Sequence, residues 1–173
     1  QFASALEDLE AQGMTGLVID LRDNPGGNLD TVCDILDLIL PEGTIVSTKD
    51  KNGEGETYTS DEEHKLEIPL SVLTNGNSAS ASEIFAGAVK DYGVGTLGGT
   101  TTFGKGIVQQ IFPLTDGTSI KLTISEYFTP KGRNIHGTGI DPDVEVEYEY
   151  NEEDPAADNQ LEKAIEIVKG NGM

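Results

Sequence analysis

A layered α/β fold is predicted for this sequence by three observations. Apolar runs of strand length alternate with segments whose apolar residues recur at helical spacing. Twice such a run passes through a turn directly into a helix-like segment, and the stretch from residue 107 to 150 reads as rich in strands.

Taken in order, Phe2, Leu6 and Leu9 mark a short helix that ends at Gly13, and GLVIDLR after it reads as a strand buried on both faces. A break at Asn24-Pro25-Gly26-Gly27 leads into a second helix with Leu29, Val32, Leu36 and Ile39 on one face, stopped by Pro41. Residues 44 to 70 alternate polar and apolar around an acidic, glycine-containing middle, which predicts a hairpin or two short strands. IPLSVLT reads as another buried strand, running through a serine cluster into the helix EIFAGAVKDYG. GTLGGTTTFGKG is loop-like. IVQQIFPL and TSIKLTISEYFT pair around Asp116-Gly117, and DPDVEVEYEY alternates as a further strand. NEEDPAADN is a polar linker into a last helix with Leu161, Ala164, Ile165 and Val168 on one face and Gly170 as its stop.

Composition narrows the function classes. Lys+Arg 11 against Asp+Glu 31 gives a net charge of −20, which repels phosphate backbones and anionic membrane surfaces, so nucleic acid is not an expected partner. No apolar run approaches the ~20 residues needed to cross a bilayer. Cys33, the one cysteine, falls on an apolar helical face and reads as core. With only His64 and His136 besides, a nitrogen/sulfur metal site lacks ligands and a serine-histidine pair lacks a favoured base: His64 sits in the charged run DEEHK, His136 in the glycine-rich IHGTG.

Two stretches imitate familiar loops. Gly99 to Lys105 fits G-x-x-x-x-G-K, but Gly106 stands where a nucleotide site needs Ser or Thr, and IVQQIFPL after it is strand-like rather than a helix. Asp50 to Asp61 approaches an EF-hand loop, yet VSTKD before it is a poor helix and the twelfth position lacks Glu. An acidic hairpin tip accounts for it.

The serines carry the remaining chemistry. NSASASEIF places Ser78, Ser80 and Ser82 at a helix start, and Ser80-Ala81-Ser82-Glu83 is an S-x-x-E capping box. An oxyanion there would meet the Ala81 amide at the helix dipole and the unshielded amides of Gly26 and Gly27 at the other strand-to-helix turn. Lys105 is the candidate base. A lysine, with a reference pKa of ~10.4, is protonated at neutral pH, so base chemistry needs burial away from carboxylates. In so acidic a chain that screening falls to Phe103, Ile107 and Val108. Geometry alone leaves Ser78 and Ser82 open as alternatives.

LRDNPGG, NSASASEIFAGAVKD, FGKGIVQQ and YFTPKGRNIHGTGIDPD, in that order across residues 16 to 145, resemble the successive signatures of the carboxyl-terminal processing peptidases, or tail-specific proteases. The resemblance implies Ser80 as nucleophile, Lys105 as general base, Gln109 as the residue that orients the lysine, and Gly26 and Ala81 as oxyanion donors. Asp91 matches an acidic position with no assigned role. It further implies a Clp-protease/crotonase-like core, a Ser-Lys dyad without metal or cofactor, protein or peptide substrates held through their C-terminal tails, and an extracytoplasmic location, whether periplasmic, membrane-anchored or secreted. Members usually carry a PDZ domain, which nothing in this chain resembles, and the chain does not begin with Met. The expectation is therefore a catalytic core over 1–150 from a longer protein, of low activity alone, followed over 151–173 by a linker and helix, with homo-oligomerisation left open. The rival reading is a catalytically silent peptide- or ligand-binding module on the same scaffold, but such a module is expected to lose the Ser-Lys pair, and this sequence keeps both.

Overall fold

The protein's structure, a computed structural model, describes residues 1–61 and 63–170. From the N-terminus run helix α1 (Phe2–Ala11), strand β1 (Leu17–Asp20), helix α2 (Leu29–Asp37), strands β2 (Gly43–Lys49), β3 (Thr57–Ser60) and β4 (Leu70–Thr74), helix α3 (Ala81–Tyr92), strands β5 (Thr96–Gly99), β6 (Ile107–Pro113), β7 (Ser119–Phe128) and β8 (Val144–Glu145), and helix α4 (Asn159–Val168).

The strands divide into a parallel sheet ordered β1-β4-β5-β8 and an antiparallel sheet ordered β3-β2-β7-β6. All five residues of β4 are buried, as a central parallel strand covered on both faces requires. Side chains alternate across it. Leu70 and Val72 join the main core with Ile84, Phe85 and Val89 of α3 and Leu36 of α2, while buried Leu73 faces the opposite side, where α4 packs. Helix α3 is buried over nearly its whole length, which its small residues allow: a Cβ on Gly87 would lie 2.9 Å from Thr129 Cγ2.

Three expectations change. β1 is only partly buried rather than buried on both faces, because it is the edge of its sheet. The supposed loop from residue 95 contains β5, a strand whose Leu97, Gly98 and Gly99 are buried. Its glycines hide it from propensity but are needed for its pairing: Gly99 has φ +108, and a Cβ there would sit 2.1 Å from the Thr74 carbonyl oxygen. DPDVEVEYEY keeps only the two-residue β8 as strand. The two decoys resolve as read, since Gly106 passes directly into β6, and Asp50 caps the tip of the β2–β3 hairpin by accepting from Asn52 N at 2.8 Å and Glu54 N at 2.9 Å.

Helix α4 belongs to the same layered unit. Its N-cap Asp158 accepts from Leu161 N at 2.9 Å and also meets Arg22 at the end of β1, with Nη2 to Oδ2 at 2.7 Å. Arg22 binds Gln160 Oε1 at 2.9 Å and Asp20 at 2.7 Å as well. Hydrogen bonding to Arg22, chiefly, holds the Asp158 carboxyl below the usual carboxylate range. A carboxyl depressed in the folded state stabilises above its unfolded pKa, and that stabilisation is lost as pH falls through the folded value. Arg22→Met is therefore expected to cost about 1–3 kcal/mol at pH 7. In urea melts the gap to wild type should shrink as pH drops below the carboxylate range; a gap independent of pH would show that the ion pair is not the source.

Candidate active site

Two strand-to-helix turns meet at the C-terminal ends of the parallel strands β1 and β4. The chain leaving β1 turns at Asp23–Asn28 into α2, and the chain leaving β4 turns at Asn75–Ser80 into α3. Side chains zip them together. Asn75 Oδ1 accepts from Asp23 N at 3.0 Å, Asn75 and Asn77 both donate to Asp23 Oδ1, and the Asn24 carbonyl accepts from Ala79 N at 3.0 Å. Gly26 lies so close to the second turn that a Cβ would fall 2.5 Å from Ala79 O and 2.7 Å from Ala81 N, with φ at +93.

This zipper sorts the three serines. Ser78, fully buried, donates to Leu21 O at 2.6 Å and accepts from Asn75 N at 3.0 Å. Ser82, also buried, donates to Asn24 O at 3.0 Å. Both are occupied in holding the turns together. Ser80 is different: it heads the capping box read from the sequence, its hydroxyl facing the Glu83 amide while the Glu83 carboxylate accepts from Ser80 N at 2.9 Å, but that amide also donates to the Ser80 carbonyl at 2.8 Å, and among the described residues the hydroxyl donates to no acceptor. The backbone of Ser80 adopts φ 57, ψ −116, and with Asp23 it is one of two non-glycine residues at left-handed φ among the described residues. Such a conformation costs a side-chain-bearing residue about 1–3 kcal/mol and persists only where surrounding bonds enforce it.

The strongest of those bonds converge on Glu83, which is fully buried. Besides Ser80 N, its two carboxylate oxygens accept from Thr102 Oγ1 at 2.6 Å, Gly104 N at 2.7 Å and Lys105 N at 2.8 Å. One carboxylate thus ties the serine turn to the loop carrying the lysine. Tyr127, 2 % exposed at the end of β7, fastens the same junction from the other sheet: its phenol lies 2.5 Å from the Lys105 carbonyl and 3.1 Å from the Ser80 carbonyl. Burial, with a smaller contribution from the Glu83 charge, raises the Tyr127 pKa, so the phenol stays protonated and able to donate.

Ser80, Ala81, Lys105 and Gln109 line one cavity of about 320 Å³ between the β6–β7 hairpin and the starts of α2 and α3. The Ala81 amide, first in its helix, has no intrahelical acceptor. Gly26 lines instead a neighbouring apolar cavity of about 260 Å³, walled by Ile19, Leu21, Val32 and Phe85, and its N–H donates to Asn24 Oδ1 at 2.9 Å. Gly27 and Ala81 border both cavities. The Gln109 side chain makes, among the described residues, one long 3.5 Å contact, its Nε2 donating to Thr123 Oγ1. Of the three residues assigned to screen Lys105, Ile107 and Val108 line its cavity, but Phe103 is 63 % exposed. Neither histidine lines the cavity, and Cys33 is buried in the core. Asp91 lies elsewhere: its buried side chain pairs with Arg133 and accepts from Lys131 N at 2.9 Å, anchoring the TPKGR loop to α3.

Glu83 and Tyr127 are site residues that sequence reasoning did not single out. Glu83 was visible only as a helix cap, and Tyr127 only as an aromatic in a strand, since their partners lie 22 residues away at Lys105.

Residues 1–146 match the family described as Peptidase family S41. A carboxyl-terminal-processing protease of Synechocystis sp. is 44% identical over 173 residues, 98% of this chain and 40% of the relative. The carboxy-terminal processing protease CtpB of Bacillus subtilis is 44% identical over 146 residues, 84% of this chain and 30% of the relative. Among solved structures, a photosystem II D1 C-terminal processing protease superposes with a TM-score of 0.80 at 34% identity, covering 99% of this chain and 44% of that one. The chain thus spans less than half the length of these relatives.

Proposed function

This chain belongs to peptidase family S41, and from that premise we propose that it is a serine endopeptidase cleaving peptide bonds near protein C-termini, with Ser80 as nucleophile and Lys105 as general base. One observation carries the reading: of three clustered serines, the one whose hydroxyl proton has no acceptor among the described residues is held at a strained turn beside a cavity that a lysine also lines.

In this mechanism the Lys105 amine takes the hydroxyl proton as Ser80 Oγ bonds to the peptide carbonyl carbon. The Ala81 amide stabilises the developing oxyanion, joined by a donor from the Gly26–Gly27 turn, where Gly27 borders the cavity and the Gly26 N–H is shared with Asn24. The carbon–nitrogen bond breaks, Lys105 passes its proton to the leaving amine, and an acyl-Ser80 ester remains. Water then attacks the ester, Lys105 taking its proton and returning it to Ser80 as the carboxylate leaves. Gln109, on the cavity wall, orients the lysine. The adjoining apolar cavity receives a small apolar side chain next to the scissile bond. An extracytoplasmic location accompanies the reading through the resemblance to tail-specific proteases; no helix among the described residues is long and apolar enough to cross a membrane.

Labelling with a fluorophosphonate tests the assignment. A single adduct mapping to Ser80 is expected, forming about 100-fold more slowly in Lys105→Met, the lower end of what a positioned general base supplies. Labelling at Ser78 or Ser82, or an unchanged rate in the lysine variant, would remove the dyad.

A further inference from the structure

The lining of the cavity beside Ser80 is cationic in a strongly acidic protein. Among the described residues no acidic side chain lines it, and its charged lining groups are Lys105 and Lys121; the Glu83 carboxylate lies behind the wall, bound to the Ser80 and Lys105 amides. Other lysine-bearing hollows have acids beside them: the one at Lys49 and Lys51 contains Asp50 and Glu126, and the one at Lys65 contains Glu7, Glu10 and Glu63. Arg22, Lys65, Lys90, Arg133 and Lys163 are in ion pairs and Lys49 lies over the Phe128 ring, whereas the ammonium groups of Lys51, Lys105, Lys121, Lys131 and Lys169 have neither an ion-pair nor a hydrogen-bond partner among the described residues. Of those five, Lys105 and Lys121 line this cavity, and Lys105 is assigned to the dyad. Lys121 is exposed on β7, opposite Ile111 of β6.

We propose that Lys121 is a substrate-carboxylate subsite: it receives the free C-terminal carboxylate of the tail that leaves. The proposal rests on the peptidase reading above and adds to it a chemical reason for acting near chain ends. A protein of net charge −20 repels an anionic chain end over most of its surface, so a pocket whose charged lining groups among the described residues are lysines is where such an end can settle. Distance sets the tail length. Lys121 lies six residues along β7 from Tyr127, whose phenol touches the Ser80 carbonyl. That is about 20 Å of strand, which an extended peptide crosses in about six residues, or about four once the reach of the lysine is allowed for. The favoured substrate therefore ends about four to six residues beyond the scissile bond. Lys121 need not touch the reacting atoms; it sets which bond is presented to Ser80.

The test compares peptides that differ only at one carboxylate, read both as kcat/KM in the wild-type chain and as affinity by fluorescence anisotropy in Ser80→Ala, so that a chain without turnover still reports on the subsite. For a peptide with five residues after the cleavage site, the free acid is expected to exceed the C-terminal amide by about fivefold, within the range of a partly exposed ion pair. The preference should fall as salt is raised. Lys121→Met should reduce the acid-to-amide ratio to about one, Lys121→Glu should invert it, and Lys121→Arg should keep it. A second pair, Glu against Gln at the fourth position of an amidated tail, separates the sources of carboxylate. Sensitivity to Lys121 in that pair alone assigns the subsite to acidic side chains and overturns the chain-end assignment. A ratio near one in wild type for both pairs, a ratio that survives Lys121→Met, or no measurable binding of either peptide overturns the subsite. Failure of turnover with the ratio intact in anisotropy would instead count against the peptidase reading.

Discussion

Ser80→Ala is expected to abolish peptide cleavage, lowering kcat by about ten-thousandfold to a millionfold, the range seen when the nucleophile of a serine peptidase is removed. The same variant should melt within about 0.5 kcal/mol of wild type. Those two results belong together because the Glu83 amide that the Ser80 hydroxyl faces in the capping box also donates to the Ser80 carbonyl, and the strained backbone is held through its own amide and carbonyl, which alanine keeps. The neighbouring serines should behave in the opposite way. Ser78→Ala and Ser82→Ala each delete a buried hydrogen bond to a carbonyl 57 or 58 residues away and should cost about 1–2 kcal/mol. Peptide-cleavage assays beside thermal melts of the three variants check the pattern. Turnover retained in Ser80→Ala, or a melting loss as large as that of Ser78→Ala, would show that the hydroxyl is structural.

Glu83→Ala is the variant expected to cost the most stability. Its carboxylate is fully buried and accepts four hydrogen bonds, from Ser80 N, Thr102 Oγ1, Gly104 N and Lys105 N. Alanine strands four donors away from water, and loss of a buried charged hub typically costs about 3–5 kcal/mol, a large part of the ~5–15 kcal/mol that holds a domain together. Glu83→Gln is more informative. It keeps the volume, but its NH2 group must face two of the donors. Turned toward Ser80 and Lys105, it meets both of their amides; turned toward Thr102 and Gly104, it can donate to the hydroxyl but still opposes the Gly104 amide. About 2–3 kcal/mol is the expected loss, with turnover falling further than stability because the serine turn and the lysine loop lose their shared anchor. Urea unfolding at pH 7 paired with steady-state kinetics separates the two effects. A glutamine variant with wild-type turnover would mean that Tyr127 alone keeps the junction in register.

Much of the fold was legible because the chain's periodicities are clean. The apolar faces of α2 and α4, the continuous apolar run of β4 and the Asp116-Gly117 turn announce their elements directly. β5 was not legible, since Thr96-Leu97-Gly98-Gly99 has poor strand propensity and becomes a strand only by pairing with β4 and β8, where the absence of side chains lets the backbones approach. The extent of β8 was overread for a related reason: alternation in DVEVEYEY continues past the last residue that finds a partner. The packing of α4 was equally hidden, because Arg22 and its partners Asp158 and Gln160 lie more than a hundred residues apart.

By itself the sequence determined the order of the chemistry: a glycine turn, a serine cluster opening a helix, and a lysine four residues before a glutamine, each within a local pattern that a short window can hold. Only the tertiary structure decided which serine hydroxyl donates to no carbonyl, and it found Glu83 and Tyr127 as the groups that bind the serine turn to the lysine loop. The reason is that a hydroxyl's freedom depends on what accepts its proton, and the acceptors of Ser78 and Ser82 are carbonyls that the fold brings in from the other turn.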